Sequence, residues 1–439
     1  MIKRLLIANR GEIAVRIIRT CRELGIKTVA VYSTADQDCL HVRLADQAVC
    51  IGPPPPSQSY LNSNNLLMAA IHTNSDAIHP GVGFLSETAS FARLVRDNGL
   101  TFIGPSTDVL ELLGDKIQAR KTAKRFGLPI IPGTDDAMTD PDKAYTAAKH
   151  LRFPIIIKAA SGGGGKGMRI VWTEDEFAEN FALASAEAEA NFGDKRVYIE
   201  RFLENPRHVE VQLLADGKDK VVSLGERDCS VQKNHQKLIE ESPCPGMKSI
   251  TRNRMQRSAI SLFQELKYQG AGTVEFLVEG NLFYFMEVNA RIQVEHPVSE
   301  LVTNTDIIRE QILACTEARL ESDPGTVRAS GWAIECRINA QSTGRITRLD
   351  VPGGPGVRFD SYLYTGYTVQ PYYDSMVGKL IVYAPTRDRA LCRMERALHE
   401  LRIEGIKTNH IQQLYIIEEN VFRSGTFGIA YYNHTFGTD

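Results

Sequence analysis

The chain has 439 residues, 43% hydrophobic and 24% charged, the balance of a folded globular protein too long for one compact core. A formal net charge of −2 offers no sequence-wide basic field, which argues against nucleic acid or anionic lipid as the main partner. The first residues carry no cleavage signature, no apolar stretch is long enough to span a bilayer, and the eight cysteines form no Cys-x-x-Cys pair, so no zinc site and a reducing compartment, the cytoplasm, are expected.

An apolar run over 2–8 is broken by Gly11. A helical pattern on Ile13, Ile17, Cys21 and Leu24 follows and ends at Gly25, and residues 28–32 read as a second buried strand. This βαβ opening predicts a parallel sheet. The turn offers only Gly11, so the Gly-x-Gly-x-x-Gly dinucleotide fingerprint is absent. Residues 76–79 lead into Pro80-Gly81-Val82-Gly83-Phe84, a strand-end turn where such sheets present their sites. The first domain is expected over 1–104. A helical linker over 105–129 is interrupted at Gly114-Asp115-Lys116, where Asp115 can cap the second half. Taken alone, Lys116 reads as a surface lysine.

A third segment, 130–203, is expected to form a lid. Its strand Ile155-Ile156-Ile157-Lys158 runs into Ser161-Gly162-Gly163-Gly164-Gly165-Lys166-Gly167 and out into another strand. No Ser or Thr follows the lysine and no helix follows the loop, so this is not a P-loop. Bare glycine amides can approach phosphate oxygens. A floppy hairpin tip is the bland alternative, but it leaves Lys158 unexplained, because a lysine closing a three-isoleucine run must snorkel or find an anion. Residues 174–190 read as helix and 197–203 as a strand leaving the lid, a possible wall for an adenine ring.

The remainder, 204–439, reads as β-rich. Residues 208–214 alternate as a half-buried strand, with a turn at Asp216-Gly217 and a partner over 220–224. Residues 225–237 are dense in donors and cations, and both a solvated loop and a loop over an anionic ligand stay open. Residues 272–278 read as a strand and Glu279-Gly280-Asn281 as a hairpin turn. The return strand is Phe285-Met286-Glu287-Val288-Asn289-Ala290-Arg291-Ile292-Gln293-Val294-Glu295-His296-Pro297, polar at every odd position from Glu287 to Glu295. Glu275 and Glu287 then face each other, and two facing carboxylates call for a cation between them. With Asn289 they form a hard oxygen set suited to Mg²⁺ on a nucleotide phosphate. Glycine lid, lysines and acidic hairpin together describe ATP-dependent phosphoryl transfer without a P-loop. Further on, Glu335, Arg337 and Asn339 share one face of a strand, and helices are expected over 386–401 and 409–419.

These motifs, in this order, resemble the biotin carboxylase family of the ATP-grasp group, the subunit found in bacterial acetyl-CoA carboxylases. The resemblance rests on residues 8–14, 79–81, 161–168, 200–208, 226–230, 287–297, 335–340 and 371–378 and covers nearly the whole chain. It implies an α/β and α+β multidomain fold: an N-terminal Rossmann-like parallel sheet, a mobile lid and a C-terminal ATP-grasp domain, as a homodimer. The implied activity is that of a ligase forming a C–N bond, working on ATP, bicarbonate and biotin with Mg²⁺ or Mn²⁺. The implied partners are a biotin carboxyl carrier protein and carboxyltransferase subunits, in fatty acid synthesis.

The family's ATP-binding residues fall here on Lys116, Lys158, Gly164, Gly165, Met168, Glu200, Arg201, Leu203, His208, Gln232, His235 and Leu277, with Met168 and Leu277 against the adenine. Its metal ligands fall on Glu275, Glu287 and Asn289, and its bicarbonate contacts on Lys237, Arg291, Gln293 and Val294. Glu295 falls on the general base that deprotonates bicarbonate for attack on the γ-phosphate. Arg337 falls on the residue at biotin that stabilises its enolate oxygen. Cys229 matches a family cysteine and reads as a packed neutral thiol. The chain departs from the family at Val82 (usually tyrosine), Ala290 (threonine) and Trp332 (histidine), and in a shorter loop over 341–344. Val82 and that loop flank the region expected to receive biotin. The carrier is expected on a separate polypeptide, because no Met-Lys-Met attachment motif occurs. Alternative readings are the equivalent subunit of a pyruvate or other acyl carboxylase, and a nucleotide-binding subunit without turnover.

Overall fold

The computed structural model describes residues 2–134, 136–160 and 167–437, leaving aside the side chain of Lys116. The predicted βαβ opening is present. Strand β1 (Arg4–Ile7) pairs in parallel with β2 (Lys27–Ser33), and β2 with β3 (Gln47–Gly52). Strand β4 (Ala77–His79) joins the other edge of β1 and carries β5 (Thr101–Phe102), giving the order β3-β2-β1-β4-β5. Leu5, Leu6 and Ile7 are all fully buried, because parallel strands are covered on both faces. The helix Gly11–Glu23 supplies part of that cover through Ile13, Ile17 and Cys21, which recur at the helical period. Gly11 needs its left-handed backbone (φ +66°), and a Cβ there would stand 3.3 Å from the Tyr362 ring. The strand-end turns of β1 and β4 are clipped together by Asn9, whose Nδ2 donates to Pro80 O at 2.7 Å and Val82 O at 2.8 Å.

The linker helix divides where the sequence indicates, into Thr107–Gly114 and Lys116–Arg125. The Asp115 side chain accepts from the Ile117 and Gln118 amides at 2.9 and 3.0 Å. A three-stranded antiparallel sheet follows: β6 (Ile155–Ala159) flanked by β7 (Met168–Val171) and β8 (Val197–Arg201), backed by the helix Phe177–Phe192.

The largest sheet is antiparallel and eight-stranded. Its first members are β9 (Arg207–Asp216), β10 (Val221–Lys233), β11 (Gln236–Ser242), β12 (Gln269–Glu279), β13 (Leu282–Asn289) and β14 (Trp332–Asn339). Two short pairs lie beyond: β15 (Gly344–Arg345) with β18 (Thr368–Val369), and β16 (Arg348–Asp350) with β20 (Arg402–Glu404). Strands β17 (Val357–Ser361) and β19 (Met376–Ala384) complete the large sheet in the order β13-β12-β9-β10-β11-β14-β19-β17. The two expected helices are present as Arg387–Glu400 and His410–Glu418, and they pack with its far end.

Two expectations are corrected. Residues 225–237 are not a loop. Strand β10 runs through them with a bulge between Ser223 and Glu226, turns at Asn234 and His235, both at positive φ, and returns as β11. Glu226, Arg227 and Asp228, whose sequence leaves solvation open, are buried in pairs. Arg227 donates to Glu210 at 2.6 Å and Gln293 at 2.8 Å, and Asp228 accepts from Arg207 at 2.7 Å. Likewise the stretch 285–297 is not one long strand. β13 ends at Asn289, and the Ala290 amide donates to the Glu87 carboxylate at 2.9 Å rather than to a ladder partner. A helix opens at His296 with Pro297 in its first turn, where a missing N–H is tolerated.

Candidate active site

A cavity of about 1110 Å³ lies where the three sheets meet. One end is lined by residues of β6 to β8 and the linker helix, with Lys158, Met168, Glu200, Arg201 and Leu203, and by Leu277 and His235. Lys158 does find an anion: its Nζ stands 2.6 Å from Glu200, which Arg120 of the linker helix also bonds. Burying one carboxylate between two cations fixes its position, and the lysine's fourth methylene carries the ammonium to the cavity edge. The apolar Met168 and Leu277 beside a charged rim make a slot suited to a flat base with phosphates beyond it. Gly164 and Gly165 of the glycine run, and the Lys116 side chain, lie outside the described residues.

The middle of the cavity is acidic. Glu275 on β12 and Glu287 on β13 are partners in register, as predicted, with a bulge directly after Glu275. Glu275 is held hard: it accepts from Lys237 at 3.0 Å, Asn289 at 2.9 Å and Gln293 at 2.8 Å, and His208 Nε2 stands 3.0 Å away. Burial alone would raise its pKa, but Lys237 and then His208 outweigh it and hold Glu275 well below the usual carboxylate range. His208 Nδ1 takes the Gln232 amide at 3.0 Å, leaving Nε2 to face Glu275. Burial disfavours the charged ring, yet Glu275 raises its pKa. The paired carboxylates with Asn289 beside them are hard oxygen donors and fit a magnesium ion. His208, Glu210 and Glu275 also place ligand atoms within 4.8 Å of one another, but the Lys237 ammonium already sits between the two glutamates.

The far end gathers the remaining residues from β11, the turn after β13 and β14. Lys237 Nζ stands 2.6 Å from Glu295, 2.7 Å from Glu210 and 3.0 Å from Glu275. Arg337 donates to Glu240 at 2.6 Å and Glu295 at 3.0 Å. Against burial, the cations Lys237, Arg337 and Arg227 hold Glu295 well below the usual range, so it is ionised at neutral pH. Arg291 donates to Glu87 at 2.8 Å and Asn289 at 3.0 Å. Val294 lines the same space. Gln293 does not: its side chain is 3% exposed, accepting from Arg227 and donating to Glu275 beneath the cavity. Cys229 is buried, and burial, then Glu210, push its thiol well up, which keeps it neutral.

Sequence reasoning missed Glu87, Glu210, Arg227 and Glu240. Each supports a predicted residue from another element, and none carries a local pattern that marks it. Arg227 is the largest of them, fully buried and spread over Glu210, Gln212, Thr273, Gln293 and Ser299.

The sequence matches three family models: "Biotin carboxylase, N-terminal domain" over residues 1–110, "Carbamoyl-phosphate synthase L chain, ATP binding domain" over 115–322, and "Biotin carboxylase C-terminal domain" over 335–434. A biotin carboxylase of Haemophilus influenzae is 49% identical across 100% of this chain and 99% of its own. Among solved structures, the Campylobacter jejuni biotin carboxylase superposes with a TM-score of 0.95 at 44% identity, covering 99% of each chain. The biotin carboxylase domain dimer of Hydrogenobacter thermophilus 2-oxoglutarate carboxylase, in complex with MgADP, ADP and bicarbonate, gives 0.93 at 42% over 99% of this chain and 98% of that one. The biotin carboxylase subunit of a pyruvate carboxylase gives 0.86 at 43%, with the same coverage. No described helix is long and apolar enough to cross a membrane. The chain belongs to the biotin carboxylase family, enzymes that carboxylate at the expense of ATP.

Proposed function

We propose that this chain carboxylates biotin on a separate biotin carboxyl carrier protein, using ATP and bicarbonate, as the first half-reaction of acetyl-CoA carboxylase. The observation that carries the reading is the setting of Glu295, 2.6 Å from Lys237 and 3.0 Å from Arg337 at one end of a cavity whose other end is the Lys158–Glu200 wall. In this reading residues 130–203 act as a lid, with ATP between Met168 and Leu277 and its phosphates toward Lys158, Lys116 and the glycines. His208, Gln232 and His235 border the nucleotide. Glu275, Glu287 and Asn289 would hold magnesium, which supplies neutralising charge to the phosphates.

Bicarbonate lies among Lys237, Arg291 and the Val294 amide. Glu295 takes its hydroxyl proton, the freed oxygen attacks the γ-phosphorus, and ADP leaves. The resulting carboxyphosphate breaks into CO₂ and phosphate, the phosphate takes the ureido proton of biotin, and the biotin nitrogen attacks CO₂. Arg337, 3.0 Å from Glu295, is placed to stabilise the ureido oxygen as it gains charge. The cations that keep Glu295 ionised also make it a weak base. Bicarbonate, by sharing Lys237, raises its basicity when the substrate is present.

The test is ADP release under varied bicarbonate and free biotin. Release should require bicarbonate, rise with biotin, and fall by about 10²–10³-fold in Glu295→Gln and in Arg337→Ala. ATP binding without biotin-stimulated turnover would sink the enzyme reading and favour a silent subunit. The acyl acceptor is a separate question, because similar chains serve pyruvate and 2-oxoglutarate carboxylases. Isolating the native complex and identifying its carrier and transferase decides it. Two copies are expected to pair, as the Hydrogenobacter domain does.

A further inference from the structure

A charged lysine in the middle of a buried strand needs a receiver. Lys379 lies within β19 between Gly378 and Leu380, is fully buried, and stands in register with Arg337 on β14 and Asp360 on β17. Its Nζ donates to the Val294 carbonyl at 2.8 Å and sits 3.1 Å from Glu12 Oε2. Glu12 is the second residue of the helix Gly11–Glu23 and is itself buried. The preceding carbonyl, of Gln293, is held by the buried His296, whose Nδ1 lies 2.8 Å from it and whose amide lies 3.3 Å away.

Pinning these two carbonyls decides what faces the cavity. In a trans peptide the C=O and N–H point in opposite directions. With the Gln293 oxygen drawn inward, the Val294 N–H is turned the other way, toward the space that Val294 lines. With the Val294 oxygen drawn onto Lys379, the peptide that carries Glu295 is fixed as well. Resting on the reading that bicarbonate binds at Arg291, Val294 and Glu295, we propose that Lys379 is a positioning residue for the bicarbonate site. Through the Val294 carbonyl it holds the Val294 amide and the Glu295 carboxylate in place, and through Glu12 it ties that turn to the N-terminal helix.

The test uses the full chain and the ADP-release assay with bicarbonate and free biotin. Lys379→Met combined with Glu12→Gln removes the ammonium without stranding the Glu12 carboxylate. The KM for bicarbonate should rise by about tenfold while the KM for ATP stays within about twofold. Glu12→Gln alone keeps the shape and loosens the anchor, and should raise the bicarbonate KM by about threefold, which covers the case in which the double variant does not fold. A bicarbonate KM unchanged in the folded variants, or moved equally with that for ATP, overturns the positioning role and leaves the enzyme reading standing. A wild-type chain that releases no bicarbonate-dependent ADP overturns the enzyme reading itself, and the positioning role with it.

Discussion

At the scale of single residues, the site depends on charges placed under it rather than in it. Lys237 and Arg227 both reach Glu210, one from the cavity floor and one from the core, so Glu210 transmits the position of one cation to the other. Arg227 also fixes the Gln293 amide, and that amide donates to Glu275. Replacing Arg227 with methionine keeps an unbranched apolar stem but leaves Glu210, Gln212 and Gln293 short of a donor in a dry interior. The expected loss is about 3–5 kcal/mol, the usual cost of breaking one side of a buried ionic network. Urea denaturation measures it, and a midpoint within error of the wild type would show that the guanidinium contributes nothing net.

Elements were legible in the sequence wherever local chemistry decides them. The Asp115 cap, the hairpin at Gly280, the facing Glu275 and Glu287 and the parallel opening all follow from period and turn residues. What was not legible depends on distant partners. Glu226, Arg227 and Asp228 left a solvated loop and a loop over an anion both open, because their receivers Arg252, Glu210 and Arg207 lie on other elements. The alternation past Asn289 continued while the strand did not, and Pro297 was the one local sign of a helix start. Lys158 stood out as a lysine ending an apolar run, and the same argument applies to Lys379, whose partners come from residues 12 and 294. The linker helix gives an element-scale prediction. Helix Lys116–Arg125 carries Arg120 to Glu200 and has no acidic residue in its first turn apart from its cap. Asp115→Ala should cost about 1 kcal/mol, a shift of about 1 °C in Tm for a chain of this length. It should also raise the KM for ATP, since the capped turn begins the wall of the nucleotide end. A lowered Tm with an unchanged KM would confine the cap to stability.

Across the whole molecule, buried groups at the two ends of the chain respond to pH in opposite senses. In the N-terminal sheet unit, burial drives His79 down to about 3 and His41 down to about 4, with Asp36 opposing the latter in part. Both are neutral when folded and take protons once unfolded below about 6.5. Their contribution to stability is therefore complete above that value and is lost as the pH falls toward 4 and 3, at up to about 1.4 kcal/mol per pH unit for each. On β14, Glu335 behaves the other way. Burial, with Glu240 opposite it in the sheet, holds it well above the usual range, and neither of its oxygens has a hydrogen-bond partner among the described residues. A raised carboxyl stabilises the fold below its unfolded pKa of about 4.5 and loses that contribution as the pH rises toward its folded value. The two variants should diverge accordingly. His79→Gln should lose less Tm than the wild type between pH 7 and pH 5, whereas Glu335→Gln should gain on the wild type as the pH rises from 5 to 8. Hydrogen exchange at pH 5, corrected for intrinsic rates, should find protection falling first in β1 and β4, beside His79, and last in β14. Melting curves for both variants that run parallel to the wild type across pH 5–8 would remove the buried histidine and the buried acid as the source of the pH response.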